Sequence, residues 1–366
     1  MKPTIRQIIL QEIKTLFELK KTERLWHIPV LASLCVGIPM LAGWYFGRLD
    51  YGLLACMGGL VILYLNAGTV AERMITLVAC SFGFMASYAI GISFSFNPLL
   101  STLFIGAFAM GVHWVTSYFR LPPPNSFFFI MLAAIGSCAP FHLHTIPNRV
   151  GLIGMGTMFA CTLAFFYSLY ITKRIPAKKP APLVRKEPYS DTVKSLIVGV
   201  FAGISILVPQ LLQLDNPYWV PISSMAVMQG VDVRHVWQRS FQRILGTFAG
   251  MGLTWALLLF HFNALGICIA ILVLQFLVEM LIVRHYALTV FFITPMTVFL
   301  AEAGSAMTQD PRVLVELRVL DIVIGSLIGA VGGWFLHHRA IQEQTRRRLR
   351  ITRYVLLNLR HKTRLR

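Results

Sequence analysis

The fold of this chain is decided by two apolar runs that begin alike, NPLLSTLFIGAFAMGVHWVTSYF at Asn97–Phe119 and NALGICIAILVLQFLVEMLIV at Asn263–Val283. Each run is close to the ~20 residues that an α-helix needs to cross a bilayer. Each also contains one readily ionised residue, and these two residues, His113 and Glu279, lie 166 residues apart, as the two asparagines do. This agreement predicts that the chain contains the same membrane unit twice.

Other residues recur in the same order and at similar spacing. The pairs are Leu49-Asp50 with Leu214-Asp215, Arg73 with Arg239, Phe128-Phe129-Ile130 with Phe291-Phe292-Ile293, Arg149 with Arg318, and Gly156 with Gly325. Six apolar segments lie in each half, and an even number of spans gives both halves the same orientation about an axis along the membrane normal. We therefore predict an all-α integral membrane protein of about twelve transmembrane helices in two parallel six-helix repeats, with a solute path near the axis.

The composition excludes an ordinary soluble domain. The mean hydropathy is +0.68, 56% of the residues are hydrophobic and only 13% are charged. Three of the apolar runs, Tyr51–Leu65, Ser126–Ala139 and Tyr218–Met228, are short for a full span. We expect these three to be tilted, broken or shielded by neighbouring helices.

The charge of +18 is distributed unevenly about the predicted spans. On a twelve-span reading, 29 of the 33 Lys and Arg residues lie on the side of the N-terminus. This is the positive-inside pattern, which predicts that both termini are cytoplasmic. The basic C-terminal tail is expected to bind anionic lipids, and because its position beside the membrane explains its charge, no nucleic acid partner is predicted.

The chain divides into five predicted segments: 1–25, a cytoplasmic N-terminal segment; 26–172, the first repeat; 173–192, a cytoplasmic linker; 193–338, the second repeat; and 339–366, the basic cytoplasmic tail. The linker is rich in Pro and Lys and is expected to be extended. No segment predicts a large catalytic domain, and no nucleophile–base arrangement in the spans predicts an enzyme. The six cysteines lie in apolar runs without a CxxC pair, so no metal or other cofactor is predicted.

His113 and Glu279 are the first candidate functional residues, because ionisable groups within a bilayer are costly. Their matched positions predict that they face each other across the repeat axis and bind protons. The alternative is that both side chains extend to water near the cytoplasmic end of their helices.

A second candidate group lies at the cytoplasmic start of the ninth predicted span. Arg239 and Arg243 are spaced i, i+4 and share a helix face, with Thr247 one turn further on. Two guanidinium groups at this mouth would attract and orient a carboxylate in a planar geometry that Lys lacks. The alternative is that the arginines only anchor the helix at the membrane surface.

A third group lies on the opposite side, where positive charge is scarce. Arg318 and Asp321 are spaced i, i+3 in the twelfth span and are predicted to pair, either as a structural contact or as an outer gate. Pro221 and Pro295 lie within the eighth and eleventh spans and are expected to kink them beside a cavity.

Three motifs of the second half resemble the fusaric acid resistance family: Tyr218-Trp219-Val220-Pro221-Ile222-Ser223, Arg239…Arg243-x-x-Gly246-Thr247-x-x-Gly250 and Arg318-x-x-Asp321-x-x-x-Gly325. The match covers about residues 193–338, and the first half echoes it weakly. The resemblance implies an inner-membrane exporter of aromatic carboxylic acids, with aluminium-activated malate channels as distant relatives. It also implies a periplasmic adaptor protein as a candidate partner, although this sequence lacks the soluble cytoplasmic domains of longer members.

Together these features predict a transporter that exports small organic anions and couples export to inward proton movement, and the resemblance implies aromatic carboxylic acids as its substrates. A homo-oligomer is one of the candidate assemblies. The alternatives are a passive anion channel and a scaffold for envelope assembly that transports nothing. The predicted substrate-binding residues, from the inner to the outer mouth, are Arg73, Arg239, Arg243, Thr247, Arg149, Arg318 and Asp321, with His113 and Glu279 as proton sites.

Overall fold

The computed structural model describes residues 24–174, 188–214, 216–260, 262–304 and 311–338. Most of the predicted N-terminal segment, most of the linker and the whole basic tail, with its expected lipid contact, lie outside the described residues. Throughout the described ranges the secondary structure is helical, without β-strands, as the sequence predicts.

The part of the first half that the structure describes contains six α-helices, of which α2 and α5 are short. Their bounds are α1 His27–Tyr45, α2 Leu49–Gly59 continued by a 3-10 turn at Leu60–Tyr64, α3 Val70–Ser93, α4 Pro98–Tyr118, α5 Phe127–Ser137 and α6 Ile146–Thr172. Helix α3 begins with a capping box, in which Thr69 and Glu72 satisfy each other's backbone amides. Helix α4 begins at Asn97, whose side chain accepts from two backbone amides, with Pro98 following at the first helical position.

The second half repeats the short second helix of the first half, but its fifth helix has 19 residues against 11 in the first half. Its helices within the described ranges are α7 Pro188–Leu211, α8 Trp219–Met228, α9 Val233–Leu258, α10 Ala264–Leu281, α11 Tyr286–Gly304 and α12 Pro311–His337. Helix α7 begins at Pro188, five residues inside the stretch predicted as an extended linker. Proline suits the first turn of a helix because its missing amide would have no partner there, so this part of the linker prediction is wrong.

Seven helices of the described residues are long and apolar enough to cross a membrane, namely α1, α3, α4, α6, α7, α10 and α12. The protein is therefore a multi-pass helical membrane protein. Helix α8 has ten residues, about 15 Å at the ~1.5 Å rise of an α-helix, and reaches across only half of a ~30 Å hydrocarbon layer. Nine of its ten residues are buried, so neighbouring helices shield it as the sequence predicts.

The two halves contact each other through matched helix pairs. Helix α4 packs along α7, and the corresponding α10 packs along α1; the short α5 meets α8, and the corresponding α11 meets α2. Glycines allow the close approach: Gly106 of α4 lies against the backbones of Gly199 and Gly203 in α7. Within each half, α3 packs on α5 and α6 as α9 packs on α11 and α12. The short helices consequently lie inside the molecule, where the candidate site is found.

Candidate functional site

Helix α9 brings two arginines to the short helix α8 along one face. The helix begins after Asp232, whose carboxylate accepts the amide of His235 at 2.7 Å. Arg239 is half-buried, and Arg243, one turn further, is only 4% exposed. Because α9 packs on α11 and α12, this face points into the protein, and lipid anchoring does not account for Arg243.

The guanidinium group of Arg243 bridges α8 and α11. Its Nη2 donates to Ser223 Oγ at 3.0 Å, and its Nη1 donates to Tyr286 Oη at 3.1 Å. Arg239 lies with its guanidinium carbon 4.2 Å from the centre of the same Tyr286 ring, a cation–π contact. The Nε atoms of both arginines are buried without a hydrogen-bond partner among the described residues.

Arg318 approaches the same short helix from α12. It is 3% exposed, and its guanidinium carbon lies 4.0 Å from the centre of the Trp219 ring. Arg318 contacts Trp219 and Arg243 contacts Ser223, and these two residues of α8 are one helical turn, about 6 Å, apart along the helix axis. The sequence placed these arginines at opposite mouths of a path, whereas the shortness of α8 brings both to one interior region.

Asp321 joins this group from the next turn of α12. It is 1% exposed and lines a small pocket together with Arg318, Trp219 and Asn216, closed on the other side by Val298 and Ala301 of α11. The charges of Arg318 and Asp321 act on one another here, while the guanidinium plane of Arg318 stacks on Trp219. The group thus holds three arginines and one aspartate in a membrane protein's interior, an arrangement that favours an anion.

The remaining residues of the family motifs act on the helices themselves. The hydroxyl of Thr247 is buried and donates to the carbonyl of Arg243 at 2.8 Å, so it satisfies its own helix. Pro221 lies in the first turn of α8, where an amide has no helical partner. The kink predicted at this proline is therefore absent. Pro295 lies inside α11 and deprives the Phe291 carbonyl of its helical donor.

His113 and Glu279 do not face each other as predicted. The carboxylate of Glu279 on α10 accepts from Arg24 Nη2 at 2.8 Å, and Gln275 Nε2 donates to its other oxygen at 3.4 Å. His113 on α4 places Nδ1 2.9 Å from Ser195 Oγ on α7. The packing of α4 on α7 and of α10 on α1 directs the two residues to separate interfaces between the halves.

The first-half arginines lie in helices that pack on each other and not on α9. Arg73 of α3 is 7% exposed, and Arg149 of α6 is half-buried beside Tyr88. They are not part of the group around α8. The repeat therefore places arginines at matching positions but assembles a multi-arginine group in the second half.

Tyr286 is the functional contact that sequence reasoning missed. In the alignment of the two halves through Phe128 and Phe291, the position of Tyr286 corresponds to Pro123, and in the alignment through Arg73 and Arg239 the position of Arg243 corresponds to Leu77. Both members of the hydrogen-bonded pair are therefore specific to the second half. Because both residues depart from the repeat, a comparison of the two halves was the sequence signal that could have identified them as a pair.

Comparison with known proteins places these residues in a family. Residues 202–332, which include the whole group around α8, match the family described as fusaric acid resistance protein-like, so the resemblance seen in the sequence is confirmed for this segment. The uncharacterized membrane protein YvaC of Bacillus subtilis (strain 168) is 33% identical over 147 residues, covering 40% of this chain. The aligned stretch spans only 23% of that relative's length. No solved structure matches the chain.

Proposed function

From the premise that this membrane protein carries a fusaric acid resistance protein-like segment at residues 202–332, we propose that it exports small organic anions, with aromatic carboxylic acids as the substrate class. It lies in a bacterial inner membrane with both termini in the cytoplasm. In this proposal, the twelve α-helices of the described ranges form two parallel six-helix repeats about an axis along the membrane normal.

The repeat arrangement is supported by the matched contacts between the halves. The pair α4–α7 corresponds to α10–α1, and α5–α8 corresponds to α11–α2, as expected when the first six helices are rotated onto the last six. The short α2 and α8 occupy equivalent places in this order. Short or broken helices at equivalent positions of two repeats are typical of the substrate site in transporters.

The observation that carries the proposal is the arginine group around α8. Arg243 and Arg318 are each at least 96% buried, yet the Nε of each has no hydrogen-bond partner among the described residues. An N–H group buried in this way costs free energy, and an anion that accepts from it recovers that cost. A carboxylate held by both guanidinium groups also balances their excess charge over Asp321.

The rings beside the arginines support an aromatic substrate. Trp219 stacks with Arg318, Tyr218 lies against Trp219 with ring centroids 4.9 Å apart, and Tyr286 lies beneath Arg239. These rings offer apolar faces next to the cationic groups. A benzoate-like molecule can place its carboxylate at the guanidinium groups and its ring against these faces.

In the proposed cycle, Arg239 collects the anion from the cytoplasm, and Arg243 and Arg318 hold it at α8. The anion leaves through the pocket beside Asp321, and Thr247 stays a candidate substrate contact one turn beyond Arg243. Glu279 and His113 stay candidate proton sites: protonation of Glu279 would weaken its bond to Arg24 and free the two halves to rock. Arg149 stays a candidate anion contact of the first half, and a periplasmic adaptor and a homo-oligomer stay candidate assemblies.

We test the substrate site with Arg243→Gln. The substitution removes the charge and the bridge to Ser223 and Tyr286, and losing one charged partner in a buried site costs about 2–5 kcal/mol, roughly a 30-fold or larger loss of anion binding. Efflux of benzoate and of aliphatic acids from loaded vesicles is measured with and without a pH gradient. The control is Arg234→Gln, which changes an exposed arginine of the same helix. Wild-type efflux by Arg243→Gln at normal expression contradicts the assigned site.

The passive anion channel is a second candidate, because buried arginines also line anion-selective pores. Efflux against a concentration gradient only while a pH gradient exists supports the transporter. Single-channel currents support the pore. A scaffold for envelope assembly is distinguished by retaining its phenotype when Glu279 and Arg243 are both substituted.

A further inference from the structure

Arg73, near the start of α3, is a buried arginine that the site around α8 does not use. It is 7% exposed, and its Nε and Nη1 are both buried without a hydrogen-bond partner among the described residues. A guanidinium group is charged at any physiological pH, and an isolated buried charge is strongly unfavourable. A ligand that accepts from these two nitrogens would remove that cost.

The carboxylate next to Arg73 in the sequence is already engaged. Glu72 Oε2 accepts the amide of Thr69 at 2.8 Å, and the amide of Glu72 donates to Thr69 Oγ1 at 3.3 Å. This capping box holds Glu72 at the helix terminus. Arg73 therefore obtains no ion pair from its neighbour, and the helix terminus adds partial positive charge to the same region.

Two further polar groups adjoin Arg73 from other helices. The Tyr167 side chain of α6 lies close enough for the charge of Arg73 to act on it. The Tyr167 hydroxyl lies 2.7 Å from Nδ1 of the half-buried His27 at the start of α1. Hydroxyl and imidazole groups both hydrogen-bond to oxyanions, so three helix termini contribute suitable groups to one place.

Arg73 lacks the tyrosine partner that its counterpart in the second half has. Its counterpart Arg239 lies over Tyr286, and the position that corresponds to Tyr286 in the first half holds Pro123, which has neither a ring face nor a hydroxyl to offer. The first half has kept the arginine without its protein partner. This difference between the repeats favours a ligand at Arg73.

We propose that Arg73, Tyr167 and His27 form a separate oxyanion site in the first half, which takes the phosphate group of an anionic phospholipid or a free carboxylate or phosphate. The site lies at the end of the helices where α1 and α3 begin and α6 ends. It depends on the proposed function only for its orientation, which places it at the cytoplasmic leaflet. The substrate group around α8 lies in the other half.

The test measures thermal unfolding of the delipidated full-length protein in neutral detergent. Phosphatidylglycerol, phosphatidylcholine, sodium benzoate and inorganic phosphate are each added to the wild type, Arg73→Gln and Arg48→Gln. Arg48 is a matched control because its side chain is 52% exposed and paired with Asp50. We expect one anionic probe to raise the Tm of the wild type and of Arg48→Gln by several degrees, and to raise that of Arg73→Gln by less than a third as much.

The pattern of responses identifies the ligand. A shift with phosphatidylglycerol alone assigns the site to a lipid headgroup, and a shift with benzoate or phosphate assigns it to a free anion. No shift in the wild type with any anionic probe, or an equal shift in Arg73→Gln, overturns the proposal. If Arg73→Gln does not fold, Tyr167→Phe is expected to reduce the shift at least two-fold, and an unchanged shift overturns it. The Tm shift that depends on Arg73 should persist in Arg243→Gln, which lacks the proposed substrate site, so failure of the transport proposal leaves this test unaffected.

Discussion

At the scale of single residues, Glu279 links the two halves of the molecule. Its carboxylate and its backbone carbonyl both accept from the guanidinium group of Arg24, at 2.8 and 3.0 Å. The side chains of Glu279 and Arg24 are 7% and 21% exposed, so water screens this ion pair far less than a surface pair. The pair therefore links the residues before α1 to α10 more strongly than an exposed ion pair would.

Substitution of this carboxylate, Glu279→Gln, should destabilise the protein. The change keeps the shape but removes the charge that balances Arg24, and a hydrogen bond to a charged group contributes about 1.5–3 kcal/mol. Thermal unfolding in detergent measures the effect. The control is Asp50→Asn, which removes the carboxylate of the exposed pair with Arg48 and should leave the Tm nearly unchanged. Equal Tm values for both variants would show that the buried pair has no special role.

At the scale of elements, the contact between α9 and α11 depends on a glycine and a proline. Pro295 leaves the Phe291 carbonyl without its helical donor, and Gly250 of α9 lies against that carbonyl. A Cβ atom at Gly250 would stand 2.7 Å from the Phe291 oxygen and 2.8 Å from Thr294 Cβ. The absence of a side chain thus allows α9 to approach closely enough for Arg243 to reach Tyr286.

We expect Gly250→Ala to separate α9 from α11. Overpacking of this kind costs about 1–3 kcal/mol, and the displacement should also lower efflux because it moves Arg243 from Ser223. Gly252→Ala is the control, since nothing lies within 4 Å of a Cβ atom there. That variant should be neutral or gain up to about 1 kcal/mol from better helix propensity. Unfolding temperature and efflux are measured for both, and identical results would refute the close-packing role of Gly250.

At the scale of the whole molecule, the matched contacts between halves decide whether transport is possible by rocking. Helix α4 meets α7 through glycines: a Cβ atom at Gly106 would lie 3.5 Å from Cα of Gly203, and one at Gly203 would lie 3.9 Å from Cα of Gly106. The two positions are therefore close enough for cysteines placed there to be cross-linked. A covalent link at this place would join the two halves without touching the arginine group around α8.

Oxidation of the double variant Gly106→Cys, Gly203→Cys should therefore stop export in a background with the six native cysteines replaced by alanine. A transporter that rocks its halves is arrested by the link, and reduction restores it. A passive channel keeps conducting when linked. Efflux is measured before oxidation, after it and after reduction, with each single cysteine variant as a control. Undiminished efflux from the fully linked protein would exclude rocking at this interface.

Much of the helical content follows directly from sequence patterns. The apolar runs are local signals, and α4 and α10 begin directly after Asn97 and Asn263, the first residues of the two matched runs. Arg243 could be identified from the sequence because a charged side chain that deep in an apolar helix is costly and is therefore a candidate functional residue. Its partner Tyr286 lies 43 residues away, and no local pattern connects the two.

The sequence by itself determined that this chain is a helical membrane protein, and it supplied the arginines, the short helices and the equal spacing of His113 and Glu279. Hydropathy and capping act over a few residues, so they specify each helix separately. Only the tertiary structure decided which helices meet. In the structure, Arg243 and Arg318 both contact the short helix α8. Glu279 pairs with Arg24, and His113 lies beside Ser195. The physical reason is that an apolar face causes a helix to be buried but does not specify which helix covers it. The packing of all the helices together determines that partner.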